Sequence, residues 1–131
     1  MIYKKPLFWE IASLSIIVSF LHYSALVLSL YYTVSWFDIM MHFIGGSLIG
    51  LLFIFILYIY EWKPFQKNNK ATVFIVTLGG VLIVGLAWEL WELFVGFTDI
   101  TTDFPDTLLD IIMDLLGGSM AFLYAKKYLW Q

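Results

Sequence analysis

Hydrophobic residues are gathered into four long segments that short polar stretches separate. The segments run over about residues 7–30, 37–60, 71–94 and 107–123. Each approaches the roughly 20 residues that a helix needs to cross a hydrocarbon core of about 30 Å. The pattern predicts an all-α protein, an integral membrane bundle of four transmembrane helices that occupies residues 1–131 as one domain.

Composition supports a membrane protein. Of the 131 residues, 62% are hydrophobic and only 13% are charged, whereas about a quarter of the residues in a soluble domain are charged. The first segment is too long for a signal peptide and lacks an A-x-A-like cleavage site, so we expect it to be retained. Cysteine is absent, which excludes disulfides and thiolate metal sites. No phosphate-binding glycine loop, Ser-His-Asp arrangement or nucleic-acid patch is visible in the sequence.

The basic residues predict the orientation. All seven are lysines, and in a chain with four spans they fall on one membrane face: Lys4, Lys5, Lys63, Lys67, Lys70, Lys126 and Lys127. The positive-inside rule makes that face cytoplasmic. The outer loop 96–106 contains three aspartates and no base. We therefore expect a plasma-membrane protein with both termini cytoplasmic.

Acids and a histidine lie inside the spans, near their predicted outer ends. They occur in pairs on three helices: Asp38 and His42, Glu89 and Glu92, Asp110 and Asp114. An acid at membrane depth is costly and usually marks a functional site or a buried pair. Every lysine is predicted on the opposite face, so neutralisation must come from protons, from imidazolium or from a bound cation.

Small residues continue each polar pair along the same helical face. The three stripes are Asp38, His42, Gly46 and Gly50; Gly85, Glu89, Glu92 and Gly96; and Asp110, Asp114, Gly117 or Gly118, Ala121 and Ala125. Small residues allow helix backbones to approach closely in lipid. We therefore expect these faces to pack together and to bring the acids into one pocket that opens outward.

Imidazole with carboxylates is the ligand set of Zn²⁺, Mn²⁺ or Fe²⁺, and carboxylates alone suit Mg²⁺ or Ca²⁺. Helical bundles build such sites from inward-facing side chains. The candidate metal ligands are His42, Asp38, Glu89, Glu92, Asp110 and Asp114, with His22 as an additional one on the Ser15–Ser19–His22 stripe. If the protein is an enzyme, a metal-dependent hydrolase or transferase at the membrane surface is expected, with Glu89 or Glu92 as general base.

Other interpretations stay open. Ser35–Asp38 and Thr107–Asp110 resemble capping boxes, which would explain both aspartates structurally. Glu89 and Glu92 could be protonated and hydrogen-bonded, and for His22 a hydrogen-bonding core role is favoured. The same acids could form a proton relay or a cation path in a transporter or channel component. They could also bind a basic partner in a membrane assembly. A transport path through four short spans would have little room in a monomer, but an oligomer could supply one.

Three motifs in order resemble the VanZ-like and YjdF-type small bacterial membrane proteins: FDIMMHFIGG, WELWE and DTLLDIIMDLLGG. The resemblance points to Asp38, His42, Glu89, Glu92, Asp110, Asp114 and Gly117. The chain lacks the arginine of the VanZ branch and has Asp114 where that branch usually has asparagine, so the YjdF type is closer. VanZ-like proteins are linked to glycopeptide resistance, and the resemblance itself assigns no reaction.

The pocket predicts a protein that binds a divalent cation, with Zn²⁺, Mn²⁺ or Mg²⁺ as the candidates. It would then bind or act on a lipid-linked or phosphate-bearing molecule of the cell envelope. The expected surroundings are the lipid bilayer and no nucleic acid.

Overall fold

The computed structural model describes residues 6–61, 69–97 and 104–129, which are helical and contain no strand. The helices are α1 (Pro6–Leu28), α2 (Leu30–Thr33), α3 (Phe37–Ile59), α4 (Lys70–Val95) and α5 (Phe104–Leu129). All except α2 are long and apolar enough to cross a membrane. The predicted class, an all-α bundle with four candidate spans, is confirmed. Four of the lysines used for the orientation lie outside the described residues, namely Lys4, Lys5, Lys63 and Lys67.

Two predicted spans differ from the observed helices at their ends. The first ends at Leu28 because Ser29 adopts the left-handed conformation with φ 55°, and the short α2 follows it. The fourth span is longer than predicted on both sides. It includes Pro105 in its first turn, where proline is tolerated, and Lys126 and Lys127 in its last turn, where cations suit the helix dipole.

The capping interpretation of the aspartates is wrong. Helix α3 begins at Phe37 with Trp36 as N-cap, and no side chain caps it. Thr107 lies one turn inside α5 rather than at its start. Neither Asp38 nor Asp110 therefore belongs to a capping box.

Helix α3 packs most extensively against α5, and their backbones come into direct contact. A Cβ atom at Gly46 would overlap the backbone of Asp114, and one at Gly117 would overlap the carbonyl of Phe43. One turn further on, a Cβ at Gly50 would lie 2.9 Å from the Cβ of Ala121. The predicted packing of the small-residue faces of these two helices is confirmed.

Helix α4 completes the central bundle. Val81 packs against Gly118 of α5, and Phe53 of α3 lies against Gly80. Val73 and Thr77 are completely buried in the same region. In contrast, α1 packs mainly on α3, through Leu7, Ile11 and their neighbours in the apolar core, and most of its surface is left for lipid.

The topology gives the bundle two chemically different ends. The N-termini of α3 and α5 and the C-terminus of α4 meet at one end, which carries the intramembrane acids and is called the acidic end below. The described lysines Lys70, Lys126 and Lys127 lie at the other, the lysine end. The predicted separation of the intramembrane acids from the lysines is therefore present in the described part of the chain, with Glu10 and Glu61 at the lysine end.

We predict that Gly46→Ala lowers stability by about 1–3 kcal/mol, the usual cost of forcing extra atoms into a packed contact. The added methyl would overlap the Asp114 backbone. Gly45→Ala is the matched control, because a Cβ at Gly45 meets nothing within 4 Å. Thermal unfolding of both variants in detergent measures the difference. Equal melting temperatures would contradict the α3–α5 contact.

Candidate functional site

Four polar side chains from three helices are buried together at the acidic end. His42 lies one turn inside α3, Glu89 projects from α4, and Asp110 and Asp114 project from α5. His42, Glu89 and Asp114 are each 7% exposed and Asp110 is 3% exposed. The structure thus brings together most of the residues that the helical periodicity of the sequence predicts for a shared polar site. Asp38 borders them in a partly buried position.

His42 is at the centre of this site. Its Nδ1 lies 3.3 Å from Oδ1 of Asp114, and its Nε2 lies 3.7 Å from Oδ1 of Asp38 and 3.7 Å from Oε1 of Glu89. An ionised carboxylate can only accept a hydrogen bond. A hydrogen bond to an ionised Asp114 would use a proton on Nδ1 of His42, and Nε2 faces the carboxylates of Asp38 and Glu89.

Asp114 is held in place by glycines from two neighbouring helices. Gly46 of α3 contacts its backbone, and a Cβ at Gly85 of α4 would overlap its carboxylate oxygen Oδ2. Because Gly85 has no side chain, the Asp114 carboxylate fits between α4 and α5. The sequence predicts both glycines as packing residues, but spacing alone does not indicate that Gly85 makes room for an acid.

Several buried oxygens at the site have no hydrogen-bond donor. Within the described residues, Oδ1 of Asp110 and both carboxylate oxygens of Glu89 lack a hydrogen-bond partner. Thr107 lies beside Glu89 without forming a hydrogen bond of regular geometry. Unpaired polar groups are costly to bury, and exceptions in a folded protein call for an explanation such as an ion or a ligand.

Three of the residues form a compact set of potential ligands. Asp38, His42 and Asp110 each offer one atom, and these atoms all lie within 4.8 Å of one another. Asp38 and Asp110 supply oxygens and His42 supplies a nitrogen, a mixed donor set that suits Zn²⁺ or Mn²⁺. We refer to these three residues as the ligand group.

Glu92 occupies a different position from Glu89. It is partly buried, and its Oε1 accepts a hydrogen bond of 3.0 Å from the indole Nε1 of Trp88. Its charge interacts with those of Asp38 and Glu89, yet it is not part of the ligand group. Of the two predicted general bases, only Glu89 lies against His42.

His22 is engaged with an aromatic partner rather than with the ligand group. Its Nδ1 lies 2.7 Å from the hydroxyl of Tyr31 in α2, and its ring packs edge-on against Trp88 at 5.9 Å. This agrees with the favoured prediction of a hydrogen-bonding role.

Tyr31 is a site residue that sequence reasoning misses. Burial, together with the charges of Asp38 and Glu92, raises the pKa of Tyr31 to about 12. The phenol therefore stays neutral at physiological pH and lies near both acids. The only signal in the sequence is its place in the short turn that precedes Asp38.

The fold and the site define a class: a small multi-pass membrane protein with a buried acidic and histidine-containing group at one end. The chain belongs to the family described as predicted membrane protein (DUF2238), whose model matches residues 2–131. The YjdF-type proteins belong to this family, so that part of the resemblance is confirmed. No curated protein and no solved structure gives a significant match.

Proposed function

We propose that the ligand group binds a divalent cation, Zn²⁺, Mn²⁺ or Mg²⁺, and that the protein uses it to bind or act on a phosphate-bearing or lipid-linked envelope molecule. The observation that carries the proposal is the ligand group itself. Its donor atoms lie within 4.8 Å of one another, and one of its residues, Asp110, has a buried oxygen without a hydrogen-bond partner. A cation at this position would satisfy that oxygen and offset the excess of acids.

The surrounding residues have roles that follow from their contacts. Asp114 accepts from Nδ1 of His42 at 3.3 Å, which is the usual second contact of a metal-binding histidine and fixes its orientation. Glu89 lies next to Nε2 of His42, where it can contact a molecule bound at the cation. A divalent cation in such a site polarises phosphoryl oxygens or activates water, and Glu89 is then the better placed general base.

The distribution of charge supports a phosphate-bearing ligand that is held through the cation. The described lysines lie at the lysine end, and none is near the site. A phosphate approaching the acids directly would be repelled, whereas metal ions held by carboxylates commonly bind substrate phosphates.

The packing beneath the site favours a one-ended pocket over a transport path. Below His42, Gly50 of α3 lies against Gly118 and Ala121 of α5. Ile54, Val73 and Val81 are completely buried between the helices. These close contacts support a surface site and argue against a polar conduit through this bundle.

We further propose that the protein lies in the plasma membrane with the lysine end cytoplasmic. The positive-inside rule supports this orientation. It would open the pocket toward the outer face, where envelope molecules are exposed.

The first prediction of this proposal concerns metal content. Protein purified in detergent without chelator should contain about one divalent ion per chain, as expected for a preformed site. His42→Ala and Asp110→Asn should lose the ion, because each removes a member of the ligand group. Glu61→Gln is the control, since this exposed acid lies at the lysine end, away from the ligand group. Elemental analysis measures the content. Absence of metal, with no thermal stabilisation by added Zn²⁺, Mn²⁺ or Mg²⁺, would refute the proposal.

The second prediction concerns the residues that orient His42. Gly85→Ala should weaken Mn²⁺ binding about 10- to 100-fold, the usual effect of disturbing an outer contact of a metal ligand. The added methyl would displace the Asp114 carboxylate. Gly79→Ala on the same helix should have no effect, because a Cβ there meets nothing within 4 Å. Calorimetric titration with Mn²⁺ distinguishes the two variants. If both variants bind Mn²⁺ with unchanged affinity, Asp114 has no part in orienting the metal ligand His42.

The third prediction concerns orientation. The chain contains no cysteine, so single cysteines can be introduced without further changes. A membrane-impermeant maleimide should label Asp106→Cys in intact cells and Lys126→Cys only after the cells are permeabilised. Both positions are exposed, one near each end of α5. The reverse labelling pattern would show that the pocket faces the cytoplasm.

A further inference from the structure

The buried oxygens of Glu89 are not explained by the ligand group alone. Glu89 is 7% exposed, and neither of its carboxylate oxygens has a hydrogen-bond partner among the described residues. Oε1 lies 3.7 Å from Nε2 of His42, so the carboxylate borders the proposed cation without belonging to its compact ligand set. Thr107 lies beside this carboxylate without a hydrogen bond of regular geometry, so a ligand that donates hydrogen bonds would complete its surroundings beside the cation.

Glu92 places a second carboxylate next to Glu89. The two residues are three positions apart on α4, which separates them by about 4.5 Å along the helix. The hydrogen bond of 3.0 Å from the Trp88 indole holds one oxygen of Glu92, and the charges of the two glutamates interact. Glu92 lies in the last turn of α4, where the helix dipole does not favour negative charge. Two neighbouring carboxylates, one of them at a helix C-terminus, favour a positive group at this position.

The chemistry of the surroundings narrows the kind of positive group. No described lysine reaches the acidic end. A second metal ion would find too few ligands, because the described residues form only one compact set of ligand atoms. An organic ammonium needs fewer contacts than a metal ion, because hydrogen bonds to the two carboxylates can hold it.

We propose that Glu89 and Glu92 bind a primary ammonium group, and that the molecule recognised is a phosphoethanolamine-type headgroup. Its phosphate would lie at the cation of the ligand group and its ammonium between the two glutamates. The phosphate half of this inference rests on the proposed function. A primary ammonium donates three N–H groups, which satisfy the oxygens of Glu89, whereas a quaternary ammonium such as choline has no N–H to donate.

The geometry fits a short zwitterion. Asp38 of the ligand group and Glu89 of the proposed ammonium subsite both lie 3.7 Å from the same nitrogen of His42. The two subsites are therefore adjacent, and the His42 ring lies next to both. Subsites this close to each other favour a headgroup whose phosphate and ammonium are joined by a short linker, such as ethylene.

The test uses the purified full chain in detergent with soluble headgroups as probes. Calorimetry first measures Mn²⁺ alone, then phosphoethanolamine, phosphocholine and methyl phosphate in the presence of Mn²⁺. We expect phosphoethanolamine to bind about 10-fold or more tightly than the other two, because charge-assisted hydrogen bonds to buried carboxylates are strong. Ethanolamine alone, without Mn²⁺, should also bind.

Glu92→Gln is the informative variant. Glutamine keeps a carbonyl oxygen that can accept from Trp88 but loses the charge, so the preference for phosphoethanolamine should fall at least several-fold while Mn²⁺ affinity is retained. Glu61→Gln, which removes an exposed acid at the lysine end, is the control and should keep the full preference.

The outcomes separate this inference from the proposed function. Normal Mn²⁺ binding with equal affinity for the three phosphates would overturn the ammonium subsite and leave the cation site standing. A second Mn²⁺ per chain that Glu92→Gln removes would also overturn it, in favour of a second metal. If Mn²⁺ does not bind, the proposed function fails, and the titration with ethanolamine alone then tests the ammonium subsite. Ethanolamine binding that Glu92→Gln abolishes would support the subsite, and absence of ethanolamine binding would refute it.

Discussion

The contact between the backbones of α3 and α5 is the constraint on which the rest of the molecule depends. Gly46 lies directly against the backbone of Asp114, and Gly117 lies against Phe43. Because the helices approach this closely, His42, one turn from Gly46, reaches the Asp114 carboxylate at 3.3 Å. The same approach places Asp110 near Asp38. The polar site is therefore a product of helix packing, since larger residues at these glycines would separate its members.

The electrostatics of the site follow from helix direction. The N-terminus of α3 points its partial positive charge toward the acidic end and stabilises Asp38 in its first turn. Helix α4 runs the other way and brings the negative end of its dipole to Glu92 in its last turn, with Glu89 about one turn deeper. Nε2 of His42 lies 3.7 Å from Oε1 of Glu89, yet both carboxylate oxygens of Glu89 lack a hydrogen-bond partner among the described residues. This carboxylate is therefore the acid of the site with the most unused capacity to bind a ligand.

Periodicity explains how much of this could be predicted from the sequence. Polar and small residues at intervals of three and four identify one face on each of three helices, and the structure packs those faces together. Spacing does not specify side-chain direction, however. It treats Glu89 and Glu92 alike, although one lies against His42 and the other is hydrogen-bonded to Trp88. The end of α1 at Ser29 and the role of Tyr31 depend on tertiary contacts that a local pattern does not contain.

The tight packing that forms the site also limits what the site can do. Below His42 the two backbones stay in contact at Gly50 and Gly118, and the side chains that surround them are buried and almost entirely apolar. A polar path to the lysine end would have to separate this contact, and separation would also move Asp114 away from His42. The residues that position the acids are therefore the residues that close the bundle beneath them. This coupling favours recognition of a molecule at one membrane surface over passage through the protein.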